Sequence, residues 1–425
     1  MLIQFSVKNY LSFKDEQTFS LTMAKGGELV ASNTFNSDLS PHARLLKAAV
    51  IYGPNASGKS NFLAALGTMK GMVTGSATES QRGKELPVTP FRLDEMSAVS
   101  PSEFEIVFVA DGVRYQYGFA ATSERVHEEW LLAFPKAKPQ RWFTRIWNEE
   151  INAYEWAMGN SFTGQKQLWQ NATRYNALFL STAVQLNSVQ LQPVFDWFNN
   201  NLKFISLKGF FKELEVTASR CKDENERKRV VEFLKVADLG INDISVKSER
   251  ITAKHLPDDM PEEAKTYFLE NEIDTDVFDI HSVHKTNQGR TVLFNFSLES
   301  EGTLKFFALA GPVIDTLENG YVLFIDELHG SLHPKMVRFL VDLFHDEKTN
   351  PNNAQLIFTS HETSILSQDV FRRDQIWFCE KDKEQATRLY PLTDFSPRKG
   401  RENLEAGYLS GRYGALPYLN IAELR

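Results

Sequence analysis

Cysteine is nearly absent from this chain of 425 residues; Cys221 and Cys379 are the only two. Two cysteines build no disulfide framework, so a reducing, cytoplasmic home is expected. Long apolar runs are missing too. No stretch approaches the ~20 apolar residues of a membrane-spanning helix, and no membrane partner is expected. The opening Met1–Lys8 alternates like a strand and lacks the basic head and apolar middle of an export signal. Excess positive charge is lacking: 47 Lys and Arg stand against 55 Asp and Glu, for a net charge of −8. That balance argues against a protein wrapped broadly around nucleic acid, although a local basic groove is compatible with it. Internal repeats and low-complexity tracts are absent, which excludes solenoid architectures. What remains is 42% hydrophobic and 24% charged, an ordinary globular composition with length for two or three domains.

Against that plain background, Gly53-Pro54-Asn55-Ala56-Ser57-Gly58-Lys59-Ser60 spells G-x-x-x-x-G-K-S, a phosphate-binding loop. The short apolar run 47–52 before it predicts a buried strand, and Asn61–Leu66 after it predicts the first turns of a helix. The glycines let the backbone wrap a phosphate without interference from a Cβ. Successive N–H groups of Gly53, Asn55, Ala56, Ser57, Gly58 and Asn61, together with the helix N-terminus, then face the anion. Lys59 is expected to reach the β- and γ-phosphates of ATP, and the Ser60 hydroxyl to ligate Mg²⁺.

Three further elements extend the site. Tyr321–Glu327 is a continuous apolar strand ending in two carboxylates, at the strand end where α/β sheets bind ligands. Asp326 is placed to hold Mg²⁺, and Glu327 to polarise an attacking water. His361 follows the apolar run Gln355–Ser360 and is a candidate hydrogen-bond donor to the γ-phosphate or the water. Ser300-Glu301-Gly302-Thr303 precedes a helix and offers hydroxyl and N–H donors to an anion; taken alone, it reads as an ordinary capped helix.

Elsewhere the pattern divides the chain. Residues 1–160 read as strand-rich, with a hairpin over 103–120 turned by Asp111-Gly112. Gly71–Gly83 reads as a loop. Residues 161–290 read as a mostly helical insert, with helices over 172–185, 189–202 and 223–239, an exposed acidic connection at 256–276 and a strand at 277–284, followed beyond it by a strand at 291–298. Residues 291–400 alternate helix and strand, and 401–425 form a tail. Arg141, Arg145, Lys136 and Lys138 gather around Trp142, Phe143 and Trp147, either as a nucleic-acid contact or as a packed sheet with a basic rim.

In this order the four elements resemble an ABC-type ATPase head of the SMC and RecF kind. Asn9-Tyr10-Leu11-Ser12-Phe13 resembles the start of that class, and Asp326-Glu327-Leu328-His329 with Leu332-His333-Pro334 its acidic motif. The resemblance implies an α/β head, with a mixed sheet and an antiparallel N-terminal subdomain, split by the helical insert. It makes Ser300–Thr303 the signature segment and His361 the switch histidine, although Glu301 and Thr303 depart from the transporter form of the signature. It also calls for a Q-loop glutamine; Gln81 lies in a loop and reads more simply as an exposed polar residue. It implies ATP sandwiched between two copies of the chain. A closer likeness runs to abortive-infection and anti-phage defence ATPases, among them the RloA/AbiL-like proteins and the ATPase of PARIS-type systems. It is carried by Pro90-Phe91-Arg92-Leu93, Ser102–Ile106 and Tyr408–Pro417. It implies a regulator triggered by a phage protein or DNA, whose TOPRIM-type nuclease effector lies on another chain, with the tail as a possible partner contact. The competing expectation is a DNA-repair ATPase acting directly on DNA.

Overall fold

The computed structural model describes residues 1–37, 44–79, 81–136, 138–207, 209–237, 239–250, 261, 276–398, 400 and 402–417. They form two compact units, one of Met1–Ile205, Thr316–His329 and Val337–Arg425, the other of Ser206–Asp315 and Gly330–Met336.

The first unit holds two large sheets. One has six strands in the order Leu202–Ser206, Val322–Asp326, Gln355–Thr359, Ala48–Tyr52, Ile376–Lys381 and Thr387–Pro391. The four strands from Val322–Asp326 to Ile376–Lys381 are mutually parallel, and the last hairpin is antiparallel. Every residue of Ala48–Tyr52 and Gln355–Thr359 is buried, as apolar strands covered on both faces must be. The second sheet is antiparallel, with seven strands in the order Ala153–Met158, Gln140–Asn148, Val126–Phe134, Val113–Ala121, Ser102–Ala110, Leu2–Lys8 and Gln17–Ser20. The hairpin expected at 103–120 is there. Its turn residues Asp111 and Gly112 both take positive φ, 47° and 73°, as a two-residue turn matching strand twist requires.

The helix Lys59–Gly75 packs into the core shared by these sheets. Its Phe62 meets Phe5 and Phe19 with ring centroids 5.6 and 5.4 Å apart, and Leu66, Met69 and Val73 are fully buried. Gln355, itself fully buried, ties the two sheets: its amide nitrogen donates to the carbonyls of Leu2 and Leu46, and its oxygen accepts from Leu2 N–H at 2.6 Å. The helix outruns the sequence expectation of a loop from Gly71. Gly71 has open space around its Cα, and the apolar spacing of Met69, Met72 and Val73 keeps that last turn on the core.

The second unit contains the helices Phe211–Arg220 and Glu224–Val236 and a three-stranded antiparallel sheet, Asp243–Arg250, Asp276–Lys285 and Thr291–Asn295. It differs at both ends from the expected insert 161–290. Residues 161–205 belong to the first unit, because Phe162, Trp169, Phe179 and Trp197 bury themselves in its core. The helix expected over 172–185 is two short ones, Lys166–Ala172 and Phe179–Gln185. The helix expected over 189–202 is Gln192–Asp196, continued by a wide turn over Trp197–Asn201. Most of the expected acidic connection at 256–276 lies outside the described residues.

Candidate functional site

Because the central strands are parallel, their C-terminal ends share one edge of the sheet. Gly53, Asp326 and Ser360 follow or end three adjacent strands there. The phosphate loop is a cradle that only small residues permit. A Cβ on Gly53 would lie 2.1 Å from the Cys379 carbonyl oxygen, and one on Gly58 2.2 Å from Thr387 Oγ1; Gly58 has φ +108°. Ala56, at the exposed tip, takes the left-handed conformation at φ 61°, which turns successive N–H groups the same way. The helix that follows has no side-chain cap, so its first N–H groups are left for an anion. Ser57 Oγ is buried with no hydrogen-bond partner. Lys59 is 6% exposed, and its ammonium donates back to the carbonyls of Gly53 at 2.7 Å and Pro54 at 2.9 Å. These features fit a bound triphosphate.

The acid strand meets the loop directly. Ser60 Oγ donates to Asp326 Oδ2 at 2.8 Å, and Thr359 Oγ1 donates to Asp326 Oδ1 at 2.7 Å. Both oxygens of Asp326 are thereby aimed, and Ser60 with Asp326 makes the hard-oxygen pair that suits Mg²⁺. Thr359 also accepts the Glu327 N–H at 2.7 Å, and its carbonyl accepts the Leu328 N–H at 3.1 Å. Glu327 is held at φ 54°, a strained conformation for a non-glycine residue and the kind of strain that gathers at functional sites. His361 is half-buried beside His329, the rings edge to face with centroids 5.2 Å apart. Burial, then the Lys59 charge and His329, pushes the His361 imidazole down to about 4, so it is neutral near pH 7.

The loop and His361 line a cavity of about 740 Å³ whose far wall includes Tyr408, Leu416 and Pro417 of the tail. That tail is docked. Tyr413 is fully buried with its hydroxyl on Glu402, Ala415 N–H donates to Glu380 Oε2 at 2.7 Å, and Tyr408 stacks on Phe378. Thr363, two residues beyond His361, donates to Glu405 of the tail at 2.8 Å.

In the second unit, Ser300 Oγ accepts the Thr303 N–H at 3.2 Å, the ordinary cap of the helix Glu301–Asn319. A Cβ on Gly302 would lie 2.6 Å from the Ser331 carbonyl oxygen, and Glu301 pairs with Lys305 at 2.8 Å. Thr303 is buried, while Ser300 and Glu301 are exposed. Gln81 has an exposed side chain, and its backbone carbonyl is held by Asn176 Nδ2 at 2.8 Å.

Sequence reasoning missed Thr359 and Thr387. The first was hidden inside an apolar run and the second lies far along the chain, where it donates to the loop carbonyl of Ser57 at 2.8 Å. Ser12, which carries part of the N-terminal resemblance, accepts from Asn61 Nδ2 and shares a hydroxyl–hydroxyl hydrogen bond with Thr387, both at 2.7 Å. The aromatic-basic cluster resolves in part as packing, with a basic rim. Arg145, Trp142 and Phe143 are buried, while Arg141, Lys136 and Lys138 are exposed and Trp147 is half-buried under Arg125, 4.0 Å from its ring centroid.

A family model described as "AAA domain, putative AbiEii toxin, Type IV TA system" matches residues 48–367. No curated protein matches the chain. Among solved structures it is similar, at 11% identity and TM-score 0.38, to an SMC head bound to the C-winged-helix domain of ScpA, over 92% of this chain and 97% of that one. It is similar at 12% identity to the recombination mediator RecF of the RecFOR pathway in two structures. One has TM-score 0.37 over 92% and 98% of the two chains, and the other, with ATP, 0.35 over 85% and 93%. The family match takes in the phosphate loop, the acid strand and His361 and spans well over half of the chain, which therefore belongs to this AbiEii-type AAA-domain family.

Proposed function

We propose that this chain binds and hydrolyses ATP, that ATP is clasped between two copies, and that the cycle regulates an anti-phage defence effector of nuclease type on another chain. The observation that carries the reading is the 2.8 Å bond from Ser60 to Asp326, which joins the phosphate loop and the acid strand into one site. In this reading Lys59 swaps its loop carbonyls for phosphate oxygens, and the loop N–H groups hold the β-phosphate. Ser60 and Asp326 hold Mg²⁺, which when bound neutralises charge on the β- and γ-phosphates. Glu327 polarises the attacking water, His361 donates to the terminal phosphate, and the Ser300–Thr303 segment of a second copy completes the site. Loss of the terminal phosphate loosens the pair, a release switch for whatever is attached. The family's tie to abortive infection supports the defence role, and burial of Arg145, Trp142 and Phe143 takes three of the candidate nucleic-acid contacts out of reach.

Lys59→Ala tests the site. Losing two charge-assisted hydrogen bonds, each worth about 1.5–3 kcal/mol, is expected to weaken ATP about 100-fold or more by titration calorimetry. Unchanged affinity would remove the phosphate-loop assignment. Ser300→Arg tests the clasp. The exposed arginine is expected to abolish ATP-dependent association in light scattering while leaving ATP affinity intact, and normal association would discard the signature role.

A further inference from the structure

The strand that leads to His361 stops short of it. The ladder ends at Thr359, and Ser360 N–H still reaches the Ile51 carbonyl at 3.1 Å. Beyond that point, the backbone N–H of His361 donates to the Nδ1 of His329 at 3.3 Å. The two imidazoles then meet at an interplanar angle of 88°. His329 is itself well placed, because it follows Leu328, which is fully buried with its N–H on the Thr359 carbonyl. One residue, Thr359, thus registers both the acid strand and, through His329, the start of the switch loop.

From this geometry we infer that His329 is a positioning residue for His361: its Nδ1 anchors the switch-loop backbone and its ring sets the plane of the switch imidazole. The inference rests on the ATPase reading above. An Nδ1 that accepts must carry its proton on Nε2, so the role belongs to the neutral imidazole. Burial favours that form, lowering His329 as it lowers His361. Two imidazolium rings at this separation would repel, and a cation at His329 would lose its acceptor. The side chain acts through His361 and through no phosphate contact of its own.

His329→Leu removes the acceptor, whereas His329→Asn puts an amide oxygen where Nδ1 stands. The test reads hydrogen exchange at the His361 amide, ATP affinity and single-turnover hydrolysis, with melting temperature as the fold control. For His329→Leu, loss of one hydrogen bond predicts up to about 10-fold faster exchange at that amide and about 10-fold slower turnover, with ATP affinity unchanged. His329→Asn is expected to restore both to within about threefold. Wild-type exchange in the leucine variant overturns the inference. So does faster exchange with normal turnover, or an asparagine variant as impaired as the leucine one. If Lys59→Ala binds ATP like the wild type, the reading of the site falls and the inference with it, whereas failure of the His329 variants alone leaves that reading standing.

Discussion

Glu327→Gln is expected to keep ATP bound and nearly stop its hydrolysis. The two acids at the strand end differ in how they are held. Asp326 has both oxygens committed, one to Ser60 and one to Thr359, so its carboxylate is held in place as a ligand. Glu327 is anchored through its backbone, by the bond from its N–H to Thr359 Oγ1 and by the left-handed turn that swings its side chain out of strand alternation. Glutamine keeps size and shape and removes the base. General-base contributions of about 10²–10⁴ in rate set the expected loss, with ATP affinity unchanged because the phosphate contacts remain. On the proposed clasp, the same variant is expected to accumulate an ATP-bound dimer, since the terminal phosphate that would join the copies persists. Phosphate release and light scattering in the presence of ATP read the two effects. Turnover within a few-fold of wild type would mean that another group activates the water.

The site was more legible in the sequence than the architecture around it. The phosphate loop, the acid pair and His361 announce themselves because each follows an apolar run too short and too continuous to be anything but a buried strand. Parallel pairing then brings their ends to one edge. The contacts of Thr359 and His329 were illegible for the opposite reason. A threonine in an apolar run is an ordinary strand former, and His329 becomes a partner of His361 only once two strands lie side by side. The boundary at Ile205 was also illegible. Trp169, Phe179 and Trp197 sit in helical periods that fit an insert as well as they fit the head; which core they enter is a tertiary fact. The tail shows both cases. Its glycines mark turns at Gly411 and Gly414, both at positive φ, but the burial of Tyr413 against Phe378 and Phe395 depends on aromatics supplied by distant strands and turns.

Arg145→Met is expected to cost the first unit more stability than any surface change. Arg145 and Glu129 are both fully buried in the antiparallel sheet, with their nearest charged atoms 3.7 Å apart. Each holds backbone as well as its partner. The guanidinium donates to the carbonyls of Ala177 at 2.8 Å and Arg174 at 2.9 Å. The carboxylate accepts the N–H groups of Phe179 at 2.6 Å and Leu180 at 2.9 Å, the first donors of the helix Phe179–Gln185. The pair thus fastens residues 174–180 to the sheet. Removing one member of a buried pair costs about 3–5 kcal/mol, because it strands the other charge. Burial already pushes the Glu129 carboxyl up, and without Arg145 it rises further. A folded-state value above the unfolded one means that the folded variant binds the extra proton. Its stability is then greatest below the ordinary glutamate range and falls as pH rises through the folded value. The deficit of Arg145→Met is therefore expected to be smaller at pH 5 than at pH 8 in urea unfolding followed by tryptophan fluorescence. Arg145→Met with Glu129→Leu removes the stranded charge and is expected to lose that pH dependence. It recovers only part of the stability, since the carbonyls of Arg174 and Ala177 and the amides of Phe179 and Leu180 stay unpaired. A single variant that loses less than about 1 kcal/mol, or loses the same amount at both pH values, would show that water reaches this pair and that the segment is held by its apolar side chains alone.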